Sequence, residues 1–335
     1  MAKKKTEDEG VFEEALSGLR EKYGNDVIMH GEDTVTDVET ISSGSLALDN
    51  LLGCGGLPRG RIIEIYGEPS SGKTATTLFL ISQIQKAGGR CVFIDAEHAF
   101  NSSFASVVGV DVKKLFVSQP GSLEEAMDTI RAFASTNKVD LIVVDSVPAL
   151  VPKSEIDEDE MLKDTMAVQA RLMGKALRIL TGEVARSRTV VIFINHLKDK
   201  IGVFYGEKTT TPGGKALKFY SSVRLSVARG EKFLGSKQEQ IGNAINITAV
   251  KNKVGFPWKK CSVDLYYKDG IDLYADALDT GIEVGIVEKS GNTYSYKGKT
   301  LGVGREKAKT ALLSDSDAFE GIKKDILAVI NKKDK

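Results

Sequence analysis

The stretch Arg61-Ile-Ile-Glu-Ile-Tyr-Gly67-Glu68-Pro69-Ser70-Ser71-Gly72-Lys73-Thr74 decides the fold. Its first half reads as a buried strand, and its second half matches G-x-x-x-x-G-K-[ST], the loop that cradles nucleotide phosphates (P-loop). Beyond it, Ala75 to Lys86 carries Leu78, Leu80, Ile81 and Ile84 at helical spacing and stops before Gly88-Gly89. The loop therefore joins a strand to a helix N-terminus. There the glycines let backbone N–H groups wrap the phosphates, and the helix end adds positive potential. Lys73 reaches the β- and γ-phosphates, and the Thr74 hydroxyl can hold Mg²⁺. The first chemical step is the binding of a nucleoside triphosphate.

Outward from the loop, apolar strings alternate with helical patterns. Residues 91–94 (Cys-Val-Phe-Ile), 141–144 (Leu-Ile-Val-Val) and 189–194 (Thr-Val-Val-Ile-Phe-Ile) lack in/out alternation. They read as strands covered on both faces by helices, which makes the fold class α/β with a mostly parallel central sheet over about residues 36–272. The strand ends carry the chemistry. Val143-Val144-Asp145 ends an apolar strand in an acid, an arrangement that sets a carboxylate beside the Mg²⁺ of a P-loop. Ile94-Asp95-Ala96-Glu97-His98 ends a strand expected next to the P-loop strand, where a carboxylate can orient and activate the attacking water. Asp95, Glu97 and His98 compete for that role. The fourth strand runs into Asn195-His196 and then into residues 198–218, whose five lysines outnumber two acids. With Phe204 and Tyr205 interleaved, this segment suits phosphates and bases; the plainer reading is a solvated excursion. The acidic run from Pro152 to Asp164 carries no function by its charge alone.

The flanks differ in composition. Residues 1–35 hold one amphipathic segment, Val11 to Tyr23, with Phe12, Ala15, Leu16 and Leu19 on one face. A lone short helix cannot bury that face by itself, so it packs on its own core or on a neighbouring subunit. Residues 273–335, with short strands such as Thr293-Tyr-Ser-Tyr296 and a last helix from Ala318 to Ile330, read as a small α+β domain. A formal net charge of zero confines any nucleic-acid surface to a local patch. Cys54, Cys91 and Cys261 are scattered thiols without a C-x-x-C, and the three histidines have no ligand spacing, so neither a disulfide nor a zinc framework is expected. With no apolar leader and no apolar run approaching about 18 residues, the chain is expected to be cytoplasmic, without a membrane partner.

Several long strings follow in one order: Asp37-Val-Glu-Thr-Ile-Ser, Gly55-Gly-Leu-Pro, the P-loop, Phe93-Ile-Asp-Ala-Glu-His-Ala, Val143-Val-Asp-Ser-Val, Phe193-Ile-Asn, Thr209-Thr-Thr-Pro-Gly-Gly-Lys-Ala-Leu-Lys-Phe-Tyr220 and Val250-Lys-Asn-Lys253. They cover nearly the whole chain and resemble the bacterial RecA recombinases. The resemblance implies a RecA-like ATPase core between an N-terminal filament-assembly helix and a C-terminal duplex-DNA-binding domain. It also implies an ATP- and Mg²⁺-dependent helical filament on single-stranded DNA that searches for homology and exchanges strands, with DNA-stimulated hydrolysis. A LexA-type repressor and single-strand-binding or loader proteins are implied partners in repair and the SOS response. Residue by residue, Glu97 becomes the water-activating carboxylate, and Lys73, Thr74 and Asp145 the phosphate and metal contacts. Lys251 and Lys253 become a pair reaching the ATP of the adjacent subunit, and Lys218 and Phe219 interface residues that couple ATP to DNA. Phe104 is implied to stack on adenine, and Tyr267 to approach the same base from the neighbour. DNA loops map to about 157–166 and 197–211, with Met166, Arg171, Arg178, Lys198, Lys200, Ile201, Gly213, Gly214 and Lys215 as contacts. The N-terminal helix is implied to dock on the next subunit.

Three positions and the chain's end depart from the family's pattern, and the first DNA loop is one residue longer. His196 stands where the family has a γ-phosphate-sensing glutamine, which predicts pH-dependent coupling of ATP to DNA. Asn101 replaces an adenine-contacting aspartate, and Asp199 replaces an apolar wedge between bases while Ile201, the second wedge, is kept. The chain ends at Lys332-Lys-Asp-Lys335 without an acidic tail, which predicts easier duplex binding through Tyr296 to Lys309. Two other classes share these motifs: a ring-shaped DNA motor or helicase on the same fold, and a filament that coats single strands mainly to recruit partners.

Overall fold

The computed structural model describes residues 2–24, 28, 38–156, 166–199 and 209–331. Packing divides the chain into two units, Met1–Val38 and Glu39–Lys335. The first holds one helix, Ala2–Tyr23, which starts well ahead of the Val11 read from periodicity. The added turns are polar helix formers, Lys3-Lys-Lys-Thr-Glu-Asp-Glu, which give no apolar period to read. Gly24, at φ 98°, ends the helix by donating to the Arg20 carbonyl.

In the second unit, nine strands form the main sheet, numbered here in chain order. They are β1 (Ile62–Gly67), β2 (Cys91–Asp95), β3 (Phe116–Ser118), β4 (Leu141–Asp145), β5 (Val190–His196), β6 (Val223–Leu234), β7 (Gln240–Asn252), β8 (Lys260–Tyr266) and β9 (Gly270–Ile271). Their spatial order is β9-β8-β7-β6-β1-β5-β4-β2-β3. Pairing is parallel from β6 through β1 to β3, and antiparallel among β6 to β9. The strand carrying Asp95 was expected beside the P-loop strand. Instead β5 and β4 lie between β1 and β2. Both intervening strands are apolar and buried along nearly their whole length, so they occupy the middle of the sheet.

Side chains on each central strand alternate between two cores. Phe93, Val143, Ile192 and Ile194 face the layer holding helix Lys73–Lys86. Val92, Ile94, Val144 and Phe193 face the layer holding helices Leu123–Ser135 and Met166–Ser187. Both faces being covered is why these strings carry no polar alternation.

From Leu273 onward, helices Leu273–Glu283, Arg305–Ser314 and Ser316–Ile330 enclose a small antiparallel sheet, Glu288–Ser290, Thr293–Tyr296 and Lys299–Val303. Their own core is built on Leu278, Val287, Tyr294, Ile322 and Ile326. This part is fastened to the rest by Asp276, whose carboxylate accepts from Ser45 Oγ at 3.0 Å, Leu46 N at 2.6 Å and Ala47 N at 3.2 Å. Those donors open helix Leu46–Leu52, where first-turn N–H groups lack helical partners. Burial pushes the Asp276 carboxyl up to about 7.

Candidate functional site

The P-loop leaves the C-terminal end of β1 and enters helix Lys73–Lys86 through Gly72, at φ 100°. A Cβ on Gly72 would lie 2.7 Å from Ile245 Cδ1, and one on Gly67 would strike the Val227 carbonyl, so β6 and β7 hold the loop tightly from one side. Ser70 also adopts a positive φ, 58°, and its carbonyl accepts from Arg229 Nη2 at 2.7 Å. The Ser71 hydroxyl is buried without a hydrogen-bond partner. Lys73 Nζ donates to the loop's own carbonyls, Gly67 O at 3.1 Å and Glu68 O at 2.8 Å. Burial lowers the Lys73 pKa, against the pull of Asp145 and Glu97. An orphan hydroxyl, a desolvated ammonium and a helix N-terminus in one concavity fit a polyphosphate.

Thr74 Oγ1 donates to Asp145 Oδ2 at 2.8 Å, so the hydroxyl and the β4 carboxylate proposed for Mg²⁺ are in contact. Burial pushes the Asp145 carboxyl up to about 6. The three candidates after β2 separate by geometry. Asp95 is buried and spent on capping the turn, accepting from Ala99 N at 3.0 Å, Phe100 N at 3.1 Å and Gln119 Nε2 at 2.9 Å. His98 is exposed at φ 54°. Glu97 points into the site: its Oε1 accepts from Ser146 Oγ and lies 3.3 Å from His196 Nε2 at the end of β5. The Ala96 and Glu97 N–H groups donate to the Asp145 carbonyl, which brings the end of β2 to the end of β4. Burial, then the nearby Lys73, holds the His196 imidazole below its ordinary value.

A cleft of about 320 Å³ opens beside the P-loop, lined among others by Gly72, Thr74, Phe104, Arg229, Leu265 and Tyr267. Tyr267 was expected to reach the base of a neighbouring subunit. It lines the cleft of its own chain, because β8 delivers it beside β7, where its hydroxyl donates to Asn243 Oδ1 at 3.1 Å. Asn101 caps helix Ser102–Val107 by accepting from Phe104 N at 2.9 Å, which fixes Phe104 at the cleft.

Lys251 and Lys253 lie at the other end of the sheet. Lys251 is paired with Arg224, which is paired with Glu64, three residues before Gly67, so Lys251 stands roughly 10 Å below the P-loop along the strand and two strands across. Its amine donates to the Lys218 and Phe219 carbonyls at 2.7 and 3.0 Å. Lys253 N donates to Ser222 O, level with the start of β1. Phe219 is 69% exposed. Neither lysine approaches its own P-loop.

A family model for the RecA N-terminal domain matches residues 10–272, and one for the RecA C-terminal domain matches residues 275–331. The chain belongs to the RecA family. It is similar to Protein RecA of Chloroherpeton thalassium, 48% identical over 309 residues, covering 92% of this chain and 86% of that protein. Protein RecA of Bacillus subtilis is 46% identical over 319 residues (95% and 91%), and that of Francisella tularensis subsp. novicida 47% over 327 residues (96% and 90%).

Several of the residues expected to contact DNA fall around the start of helix Met166–Ser187. Met166 opens it, and Arg171 and Arg178, both exposed, share a face seven residues apart. Gly213 and Gly214 have positive φ, and a Cβ on Gly214 would sit 2.8 Å from Ala170 Cβ, so the return of the second loop presses on this helix beside Arg171. Exposed Lys215 follows. Lys198 and Asp199 are exposed on a short ladder with Thr210 and Thr209. Lys218 Nζ donates to Thr210 Oγ1 at 2.8 Å. Lys200, Ile201 and most of the first loop, 157–165, lie outside the described residues.

Residues not singled out from the sequence tie the P-loop strand to the second loop. Glu64, fully buried in β1, accepts from Asn195 Nδ2 at 3.0 Å and Arg224 Nε at 2.5 Å, and Asn195 Nδ2 also donates to Pro212 O at 3.1 Å. A signal for Glu64 existed: an acid inside Ile-Ile-Glu-Ile must find a buried partner. Arg229 and Ser146 carried none, since their importance comes from which strand ends meet.

Proposed function

We propose that the chain is a DNA recombinase and repair protein, a DNA-dependent ATPase that assembles as a helical filament on single-stranded DNA and exchanges strands with duplex DNA. The observation that carries the reading is the meeting of Lys73, Thr74–Asp145 and Glu97 at the ends of β1, β4 and β2 in a chain of the RecA family. Lys73 leaves the Gly67 and Glu68 carbonyls to hold the β- and γ-phosphates of ATP. Glu97, steadied by Ser146, orients the attacking water and takes its proton. Thr74 and Asp145 hold Mg²⁺, which when bound offsets phosphate charge. Phe104 and Tyr267 take the adenine, with Asn101 at its edge. Lys251 and Lys253 serve the ATP of an adjacent subunit, which makes hydrolysis depend on assembly. His196 occupies the γ-phosphate-sensing position, and Arg171, Arg178, Lys198, Lys200, Ile201 and Gly213 to Lys215 meet DNA. Lys218 and Phe219 link the two functions at the interface. A LexA-type repressor and single-strand-binding or loader proteins are further partners, in the cytoplasm.

ATP hydrolysis with and without single-stranded DNA tests the reading, run on the wild type, Glu97→Gln and Lys251→Ala. Strong DNA stimulation is expected, with kcat falling roughly 10²- to 10⁴-fold in Glu97→Gln and stimulation lost in Lys251→Ala. Unstimulated hydrolysis that survives Lys251→Ala would mean that each subunit works alone.

A further inference from the structure

The cleft beside the P-loop carries an unequal stock of hydrogen-bonding groups. Asn101 precedes helix Ser102–Val107, and its Oδ1 accepts from Phe104 N at 2.9 Å. A backbone N–H can be accepted only by the amide oxygen, so the cap fixes which end of the side chain is spent. What remains is the Nδ2 group, a donor on an exposed residue, with no partner among the described residues. Bonded to the same carbon as the capping oxygen, it stands where the Phe104 side chain leaves the helix for the cleft. An aspartate there would cap with one oxygen and leave the other as an acceptor; asparagine reverses the polarity of that edge. The acceptors at this end of the cleft are already engaged. Tyr267 Oη accepts from Gln240 Nε2 at 2.6 Å and donates to Asn243 Oδ1 at 3.1 Å, while Asn243 Nδ2 donates to Ala244 O at 2.8 Å. The Ser70 carbonyl is taken by the exposed guanidinium of Arg229, which forms no ion pair among the described residues. No acid is among the residues lining the cleft. The groups left for a base are donors, on Asn101 and Arg229.

A purine's six position decides what such an edge can take. Adenine presents an exocyclic amine, a donor, whereas guanine and hypoxanthine present a carbonyl oxygen beside the N7 acceptor. Two donors facing each other leave a polar group unpaired away from water, which costs more than a good hydrogen bond returns. We propose that Asn101 makes the base subsite select a 6-oxopurine, so that the chain takes GTP or ITP at least as well as ATP. The proposal rests on the reading of this cleft as the nucleotide site, and it names the base that the site reads. Adenine is still held by its faces, between Phe104 and Tyr267, and by N7, which accepts; its amine gains nothing.

Full-length protein with Mg²⁺ and saturating single-stranded DNA is assayed for phosphate release from ATP, ITP and GTP. ITP carries the 6-oxo group without guanine's 2-amino group, so it isolates the position that Asn101 reads. The wild-type kcat/KM for ITP and for GTP is expected to equal or exceed that for ATP. Asn101→Asp keeps the cap and turns the remaining group into an acceptor, and it is expected to move the ITP-to-ATP ratio of kcat/KM toward ATP by roughly tenfold or more. Asn101→Ser keeps the cap and removes the amide, and it is expected to bring the ratio to an intermediate value through KM, with an unchanged circular dichroism spectrum. A wild type that favours ATP over both 6-oxopurines, or a ratio that Asn101→Asp leaves unmoved, overturns the base selection, while DNA-stimulated ATP hydrolysis in the same assay leaves the ATPase reading standing. Hydrolysis of none of the three nucleotides overturns both.

Discussion

Replacing Arg224 with methionine isolates what the buried acid of β1 requires. The Glu64 side chain is 0% exposed and Arg224 15%, with Nε 2.5 Å from Oε2 and Asn195 supplying the second donor at 3.0 Å. Arg224 also lies 4.7 Å over the Tyr66 ring. Without the guanidinium, a carboxylate remains inside the sheet with one neutral donor. An uncompensated buried charge of this kind costs about 3–5 kcal/mol, a large part of the roughly 5–15 kcal/mol that holds a domain together. For a large domain, where 1 kcal/mol shifts Tm by roughly 2–4 °C, the midpoint should fall by roughly 6–20 °C. Glu64→Leu combined with Arg224→Met removes both charges, and most of the loss should be recovered, giving a coupling of about 3 kcal/mol in the double-mutant cycle. Calorimetric or circular-dichroism melts at pH 7 measure all four corners. An Arg224→Met variant within about 1 kcal/mol of wild type, or single costs that simply add, would refute the view that this pair is mutually dependent.

Other expectations follow from single contacts. Gly72→Ala should weaken nucleotide binding measured by calorimetric titration, since a φ of 100° is strained for any residue with a Cβ and Ile245 Cδ1 would have to shift to admit one. Because burial and Lys73 hold His196 below its ordinary 6.5, it is neutral at pH 7 to 8. DNA-stimulated hydrolysis should therefore be flat there and change through an inflection below 6.5, absent in His196→Gln; identical profiles would remove His196 from the coupling. Asp276 is raised from 3.8 to about 7, so the folded chain keeps a proton that the unfolded chain has lost. The contribution of Asp276 to stability should be greatest near pH 4, fall by at most about 4 kcal/mol as pH rises to 7, and level off above. Asp276→Asn should flatten that slope in urea melts taken across the range.

The sequence by itself determined the strand, loop and helix around Gly67 to Thr74, the four central apolar strands and the acid at Asp145. Each is written in local spacing: glycines where backbone meets phosphate, and apolar runs where both faces of a sheet are covered. The family strings added the order of the parts. Tertiary structure alone decided that β5 and β4 separate β1 from β2, that Asp95 is consumed by its own turn while Glu97 faces the site, and that Tyr267 lines the cleft of its own chain. It also decided that Glu64 depends on Arg224, 160 residues away. Such outcomes depend on which strand ends meet and on which donors remain after the backbone is satisfied. No periodicity records either, because they are set by contacts between segments far apart in the chain.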